Sequence, residues 1–522
     1  MEIKRTLSTT VAAAMLFAAS AFGAVPGITG PAFTLTAQSA YLNQPDGSAV
    51  YAWGYGCNGS PSGFAPSAIT NATCSSMQVP GPTLIVTEGQ TVRVTLTNNL
   101  PAAAGNTSIL FTGFNVVTTD GVPGLLTHEA APSGNVTYTF TASTPGTHAY
   151  YSGTQSDLQV EMGLYGAVVV LPMSVPANCN AGLSAANVSV EQAHGESDFR
   201  LAHAAYDHPS TCYDREYLFQ FAEMDSNIHK QALNQVTATY GCTAGSPGCS
   251  LAIPTEPYHP SYFLINGRSM PDDMDANYAA EYPHQPYNGN PHMHPGEQVL
   301  IRVIGQGRWQ HPFHEHANHV RILARDGNLI LTPDLSALAG PSLFTTTTTP
   351  GLAFDGIFYY TGRGLNWDMY GHNPSSKDPN ATLACYPDPN GYYTANSNPP
   401  APFNAINYFE WCQDHNKPLQ VAPFGDVASG GPVTLPDANI LTNGAWFSGS
   451  PYLGANATTR ATGPNSVYLP SNTQANASAE RGYAFMWHSH NEREITTNNV
   501  FPGGMMMMML VDSREFLIDE SK

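Results

Sequence analysis

Apolar and polar positions alternate repeatedly along this chain with the period of strands rather than helices. After Pro80-Gly81-Pro82-Thr83-Leu84-Ile85-Val86-Thr87-Glu88-Gly89-Gln90 comes Thr91-Val92-Arg93-Val94-Thr95-Leu96-Thr97, where Val92, Val94 and Leu96 share one face. Gly89-Gln90 supplies the turn before that strand. The pattern returns at Pro295-Gly296-Glu297-Gln298, followed by Val299-Leu300-Ile301-Arg302-Val303-Ile304. A recurring turn that feeds an alternating strand predicts two related β-sandwiches in an all-β chain. Other strand-like runs are Tyr138–Phe140, Ala167–Leu171, Val320–Leu323 and Gly356–Tyr360. From about 373 to 481 the alternation weakens and Pro, Asn, Gly and Ser dominate; strand character returns at Tyr483–Trp487 and near the end at Met505–Val511. The expected domains are 30–175 and 185–522, the second with a loop-rich insertion at about 373–481, or alternatively with a third small domain at 376–522.

Composition supports that class and narrows the partners. A length of 522 residues suits two or three domains. Only 11% of residues are charged, against roughly 25% in ordinary soluble domains, and 47 Gly with 42 Pro favour turns. A net charge of -20 repels nucleic acid and draws cations, so no nucleic-acid partner is expected. Lys4 and Arg5 precede an apolar run from Val11 to Phe22, and Ala21-Phe22-Gly23 offers small residues for cleavage. Residues 1–23 therefore read as a secretory signal peptide, too short for a membrane span, and no later run approaches the ~20 apolar residues of a transmembrane segment. Export to the periplasm, the cell surface or the medium follows. Eight cysteines in an exported chain predict disulfides, with Cys57–Cys74 and Cys242–Cys249 as local pairs and Cys385–Cys412 pinning the insertion. The sequence sets no oligomeric state.

Candidate chemistry lies in two histidine motifs, His311-Pro312-Phe313-His314-Glu315-His316 and Trp487-His488-Ser489-His490. Side chains two apart on a strand share a face, so neighbouring strands would converge His314, His316, His488 and His490 on one spot. Four imidazoles suit copper, with zinc possible, as one ion or as two held less tightly. His292 and His294 read as a solvated loop, and Met505–Met509 as a terminal strand whose methionines fill the core. Glu492 and Glu494 flank the histidines as either orienting acceptors or solvated charges. No GxGxxG opening a helix, GxxxxGK[ST], HExxH or GxSxG is present.

With these motifs stand Val79-Pro80-Gly81-Pro82, Asp120-Gly121-Val122-Pro123-Gly124, Gly163-Leu164-Tyr165-Gly166 and Phe501-Pro502-Gly503-Gly504-Met505. In this order they resemble the multicopper oxidases, in a divergent bacterial-type form. The resemblance implies tandem cupredoxin-like Greek-key β-sandwiches and copper as cofactor. It also exposes departures. Leu110 and Thr112, then Tyr151 and Gly153, stand where the family places histidine pairs, and Ser489 replaces the type 1 copper thiolate. His311 matches a type 1 histidine, Glu494 sits near the place of its partner, and the four paired histidines match half of the trinuclear cluster. Tyr151 would serve as a cavity filler or as a radical or proton donor at the metal. Without the cysteine relay, neither a blue colour nor the usual four-electron oxygen reduction is expected.

Three functions fit. The first is an exported copper-binding protein of this family, in metal-linked redox chemistry or copper handling, acting on a metal ion or small redox substrate at His314, His316, His488 and His490, with His311 as a further candidate metal ligand. The second is an active Mn(II) or Fe(II) oxidase whose electron entry is rebuilt from His311 and Glu494. The third is a non-catalytic structural or surface protein on the same scaffold.

Overall fold

The computed structural model describes residues 24–180, 196–294, 297–360, 481–512 and 517–521, together with the backbone of five short strands between 386 and 470. The expected signal peptide, nearly all of the 373–481 insertion and the Cys385–Cys412 pair lie outside the described residues.

Two β-sandwiches follow one another. In the first, a six-stranded sheet runs from Phe64–Ala65 through Gly27–Thr29, Leu84–Thr87, Tyr165–Leu171 and Gly146–Tyr151 to Leu110–Phe111. It faces a five-stranded sheet ordered Ala49–Cys57, Ala32–Asn43, Thr91–Asn98, Asn135–Thr141, Val117–Asp120. Val92, Val94 and Leu96 point into the core between them, as their alternation requires. Disulfides Cys57–Cys74 and Cys242–Cys249 form as expected, and Cys179–Cys212 adds a third.

In the second sandwich one sheet is built on Tyr262–Ile265, Arg215–Met224, Gln298–Gly305, Ala353–Tyr359 and Val320–Arg325. The other is ordered His292–Met293, Met506–Asp512, Arg481–Ser489, His311–Glu315, Thr345–Thr348. Gln298–Gly305, the second copy of the sequence pattern, is buried on both faces. Val299, Ile301 and Val303 enter the core with Phe313 and Trp487, while Ile304 packs against Ala149, Ala167 and Val169 of the first sandwich.

That seam is also polar. The Asp355 carboxylate accepts from Thr147 N at 3.2 Å, from Thr147 Oγ1 at 2.6 Å and from the Tyr206 hydroxyl, and Arg302 lies 3.5 Å away. Among the described residues, one helix is long, Ser226–Ala238. Asp225 caps it by accepting from Asn227 N at 2.9 Å, and Ile228 and Ala232 bury its inner face.

Candidate metal centre

His311–Glu315 lies between Thr345–Thr348 and Arg481–Ser489, so both histidine motifs occupy adjacent antiparallel strands. The register sets His314 opposite His488 on one side and opposite Thr345 on the other. Directly opposed residues share a face, which brings the two motifs together. Ring nitrogens of His314, His316 and His488 all lie within 4.8 Å of one another. Nε2 of His316 and Nε2 of His488 are 3.2 Å apart.

The surroundings fix the rings. His488 Nδ1 donates to the Ser489 carbonyl at 2.7 Å; a carbonyl only accepts, so Nε2 keeps its lone pair and aims it at His316. His314 Nδ1 sits 2.7 Å from Thr345 Oγ1, and Trp487 Nε1 donates to the His316 carbonyl at 3.1 Å. Burial, followed by the neighbouring His488 and His490, lowers the His314 pKa to about 4. Burial is also the main cause that lowers His488. Rings so depressed are neutral near pH 7, the form in which imidazole binds metal. His490 has its ring centre 4.9 Å from that of His314 and 5.5 Å from that of His488, but its side chain is 54% exposed, leaving it on the solvent side of the group. This donor set fits a copper or zinc ion.

The opposite strand face holds different chemistry. There His311 is fully buried, with Nε2 3.0 Å from Glu223 Oε2 and Nδ1 2.9 Å from Glu494 Oε2, and the Ser489 hydroxyl donates to that same Glu494 oxygen. Asn491 Nδ2 donates to the other Glu494 oxygen at 2.8 Å. The backbone N–H groups of Arg308 and Trp309 donate to Glu223 Oε1 at 2.6 and 2.8 Å. Burial opposes charge on His311, but hydrogen bonds and charges from both glutamates outweigh it and raise its pKa to about 9. The result is an imidazolium clasped by two carboxylates. With both nitrogens engaged and no thiolate, these residues do not fit a type 1 copper. Gly504 completes the loop at φ +66, where a Cβ would stand 2.2 Å from the Glu494 carbonyl oxygen.

The structure thus groups His314, His316 and His488, with His490 at the rim, and holds His311 apart from them. Among the described residues, the first sandwich contributes no His, Cys, Asp or Glu to this group. Tyr151 packs in the seam with Val169 and Leu218, and Thr112 Oγ1 donates to the Ala149 carbonyl at 2.8 Å. One expectation needs correction. His292 and His294 are buried rather than solvated: His292 Nδ1 is 2.7 Å from Asp512 Oδ2 and His294 Nε2 is 2.7 Å from Glu196 Oε1. Of the two readings for Glu494, the acceptor holds: it is buried and accepts from Ser489, with His311 2.9 Å away. Sequence reading missed Thr345 and Glu223 altogether. An acidic residue closing the apolar run Tyr217–Ala222 was the one signal for Glu223.

A family model described as multicopper oxidase matches residues 65–174, inside the first sandwich. That stretch is similar to the multicopper oxidase family. A laccase of Aspergillus fumigatus is 38% identical over 98 residues, 18% of this chain and 16% of its own. Laccase 1 of Metarhizium acridum is 36% identical over 118 residues, 22% of this chain and 18% of its own. The matched stretch therefore spans under a fifth of these multicopper oxidase relatives. A blue copper oxidase from Nitrosomonas europaea overlays 92% of this chain and 85% of its own at 14% identity and a TM-score of 0.44. The family match ends well before His311, so the histidine group stands on its own geometry.

Proposed function

We propose that this chain is an exported, copper-binding member of the multicopper oxidase family that works in metal-linked redox chemistry or copper handling through His314, His316, His488 and His490. The observation that carries the reading is the convergence of three buried imidazoles whose nitrogens lie within 4.8 Å of one another. Copper, when bound, supplies one-electron exchange. The chain supplies neutral donors, orients two of them through Thr345 and the Ser489 carbonyl, and leaves His490 at the solvent edge. Three disulfides support a location outside the cytoplasm, and among the described residues no helix is long and apolar enough to cross a membrane.

The oxidase with rebuilt electron entry at His311 and Glu494 is less favoured, because a metal there must displace a carboxylate from an imidazole bonded on both sides. Elemental analysis with visible and electron paramagnetic resonance spectra tests the main reading. About one copper per chain without an intense thiolate band is expected, and His316→Ala or His488→Ala should abolish it. Copper content unchanged in both variants would leave only the non-catalytic scaffold.

A further inference from the structure

The row of residues across the histidine sheet does not end at His488. In register it runs Thr345, His314, His488, Met506, and the adjoining strand pair sets Met486 opposite Met508. Antiparallel partners share a face with Cβ atoms about 4.5–5.5 Å apart. Met506 therefore stands beside His488, and Met486, two residues before His488 on the same strand, lies on that face as well. The terminal strand divides its methionines by parity. Met507 and Met509 fill the core with Phe313 and Trp487, and Met505 joins them. Met506 and Met508 turn to the other face, the one that carries His488; Met506 is buried, whereas Met486 and Met508 are partly exposed. The core cluster of Phe313 and Trp487 includes the first three thioethers and none of the second three.

A thioether is a soft, uncharged donor that adds little to a Zn(II) site and favours Cu(I). We propose that Met506, flanked by Met486 and Met508, joins His488 and His316 in a site for Cu(I), so that the reduced ion is the ligand this centre is built to hold. The proposal rests on the histidine reading above and names the oxidation state that the reading leaves open.

The test uses the full mature chain. Cu(I) is titrated anaerobically against the chromophoric chelator bicinchoninate, and Zn(II) binding is measured in parallel as a histidine-only control. The variant replaces Met486, Met506 and Met508 together by Leu, a volume-conserving exchange that typically costs under about 1.5 kcal/mol per site. Cu(I) affinity should fall at least about tenfold while Zn(II) affinity holds, and a sulfur shell in the X-ray absorption spectrum of the Cu(I)-loaded protein should vanish in the variant. Unchanged Cu(I) affinity, or a nitrogen-only shell in the unaltered protein, would overturn the proposal. So would an equal loss of Zn(II), since the thioethers would then act only by shaping the histidines. Failure of the unaltered protein to bind either ion would instead defeat the histidine reading itself.

Discussion

A hydroxyl at position 489, where the family places a thiol, reorganises the pocket around it. Ser489 donates to Glu494, Glu494 bonds His311, and His311 reaches Glu223, so the electrons a thiolate would offer copper are replaced by a chain of hydrogen bonds. Restoring sulfur alone should therefore fail. Ser489→Cys loaded with copper is expected to lack an intense thiolate-to-copper band in the visible spectrum, because both nitrogens of His311 stay with their glutamates. Thr345 invites a second test: removing its hydroxyl with Thr345→Val frees the His314 ring and should weaken Cu(II) or Zn(II) binding about tenfold by competitive titration. The paired histidines were legible in the sequence because spacing by two means one face. Thr345 and Glu223 were not, since Thr345 meets His314 only through pairing with a strand 31 residues on, and Glu223 reaches His311 from the other sheet, 88 residues away.

Whether alternation shows in an element depends on what covers it. Thr91–Asn98 has one face in the core and one toward solvent, and its pattern was plain. Gln298–Gly305 is covered on both faces, so only its preceding turn marked it as a counterpart of the first. The Ser226–Ala238 helix escaped notice because its apolar residues are few and the chain around it reads as strand and turn. Between the sandwiches Asp355 ties three donors and Arg302, and Asp355→Ala strands those groups in a buried seam. Thermal or denaturant unfolding should register a loss of roughly 3 kcal/mol.

For the molecule as a whole, buried charge sets the response to pH. His311 has a folded pKa of about 9 against an ordinary 6.5, so its contribution is complete below about pH 6.5 and disappears as pH rises through 9. Burial pushes Glu520 to about 8 from 4.5, which also favours the protonated fold and weakens it as pH climbs from about 4.5 to 8. Glu196 runs the other way. Burial alone would raise it, but Arg215 and His294 hold it at about 2, so its contribution is lost only as pH falls below about 4.5 toward 2. His314, lowered to about 4 from 6.5, offsets Glu520 between about pH 4.5 and 6.5, so melting temperature should level off over that range and decline toward about pH 9, and His311→Gln should flatten the upper part of that decline. A profile that stays flat from about pH 6.5 to 9 would contradict the assignment. The bridge at His311 also bears on how the protein matures. A pocket that closes around a hydrogen ion finds its occupant in any aqueous compartment, so this region reaches its final form without a metal, and the copper proposed for the imidazole group is acquired separately.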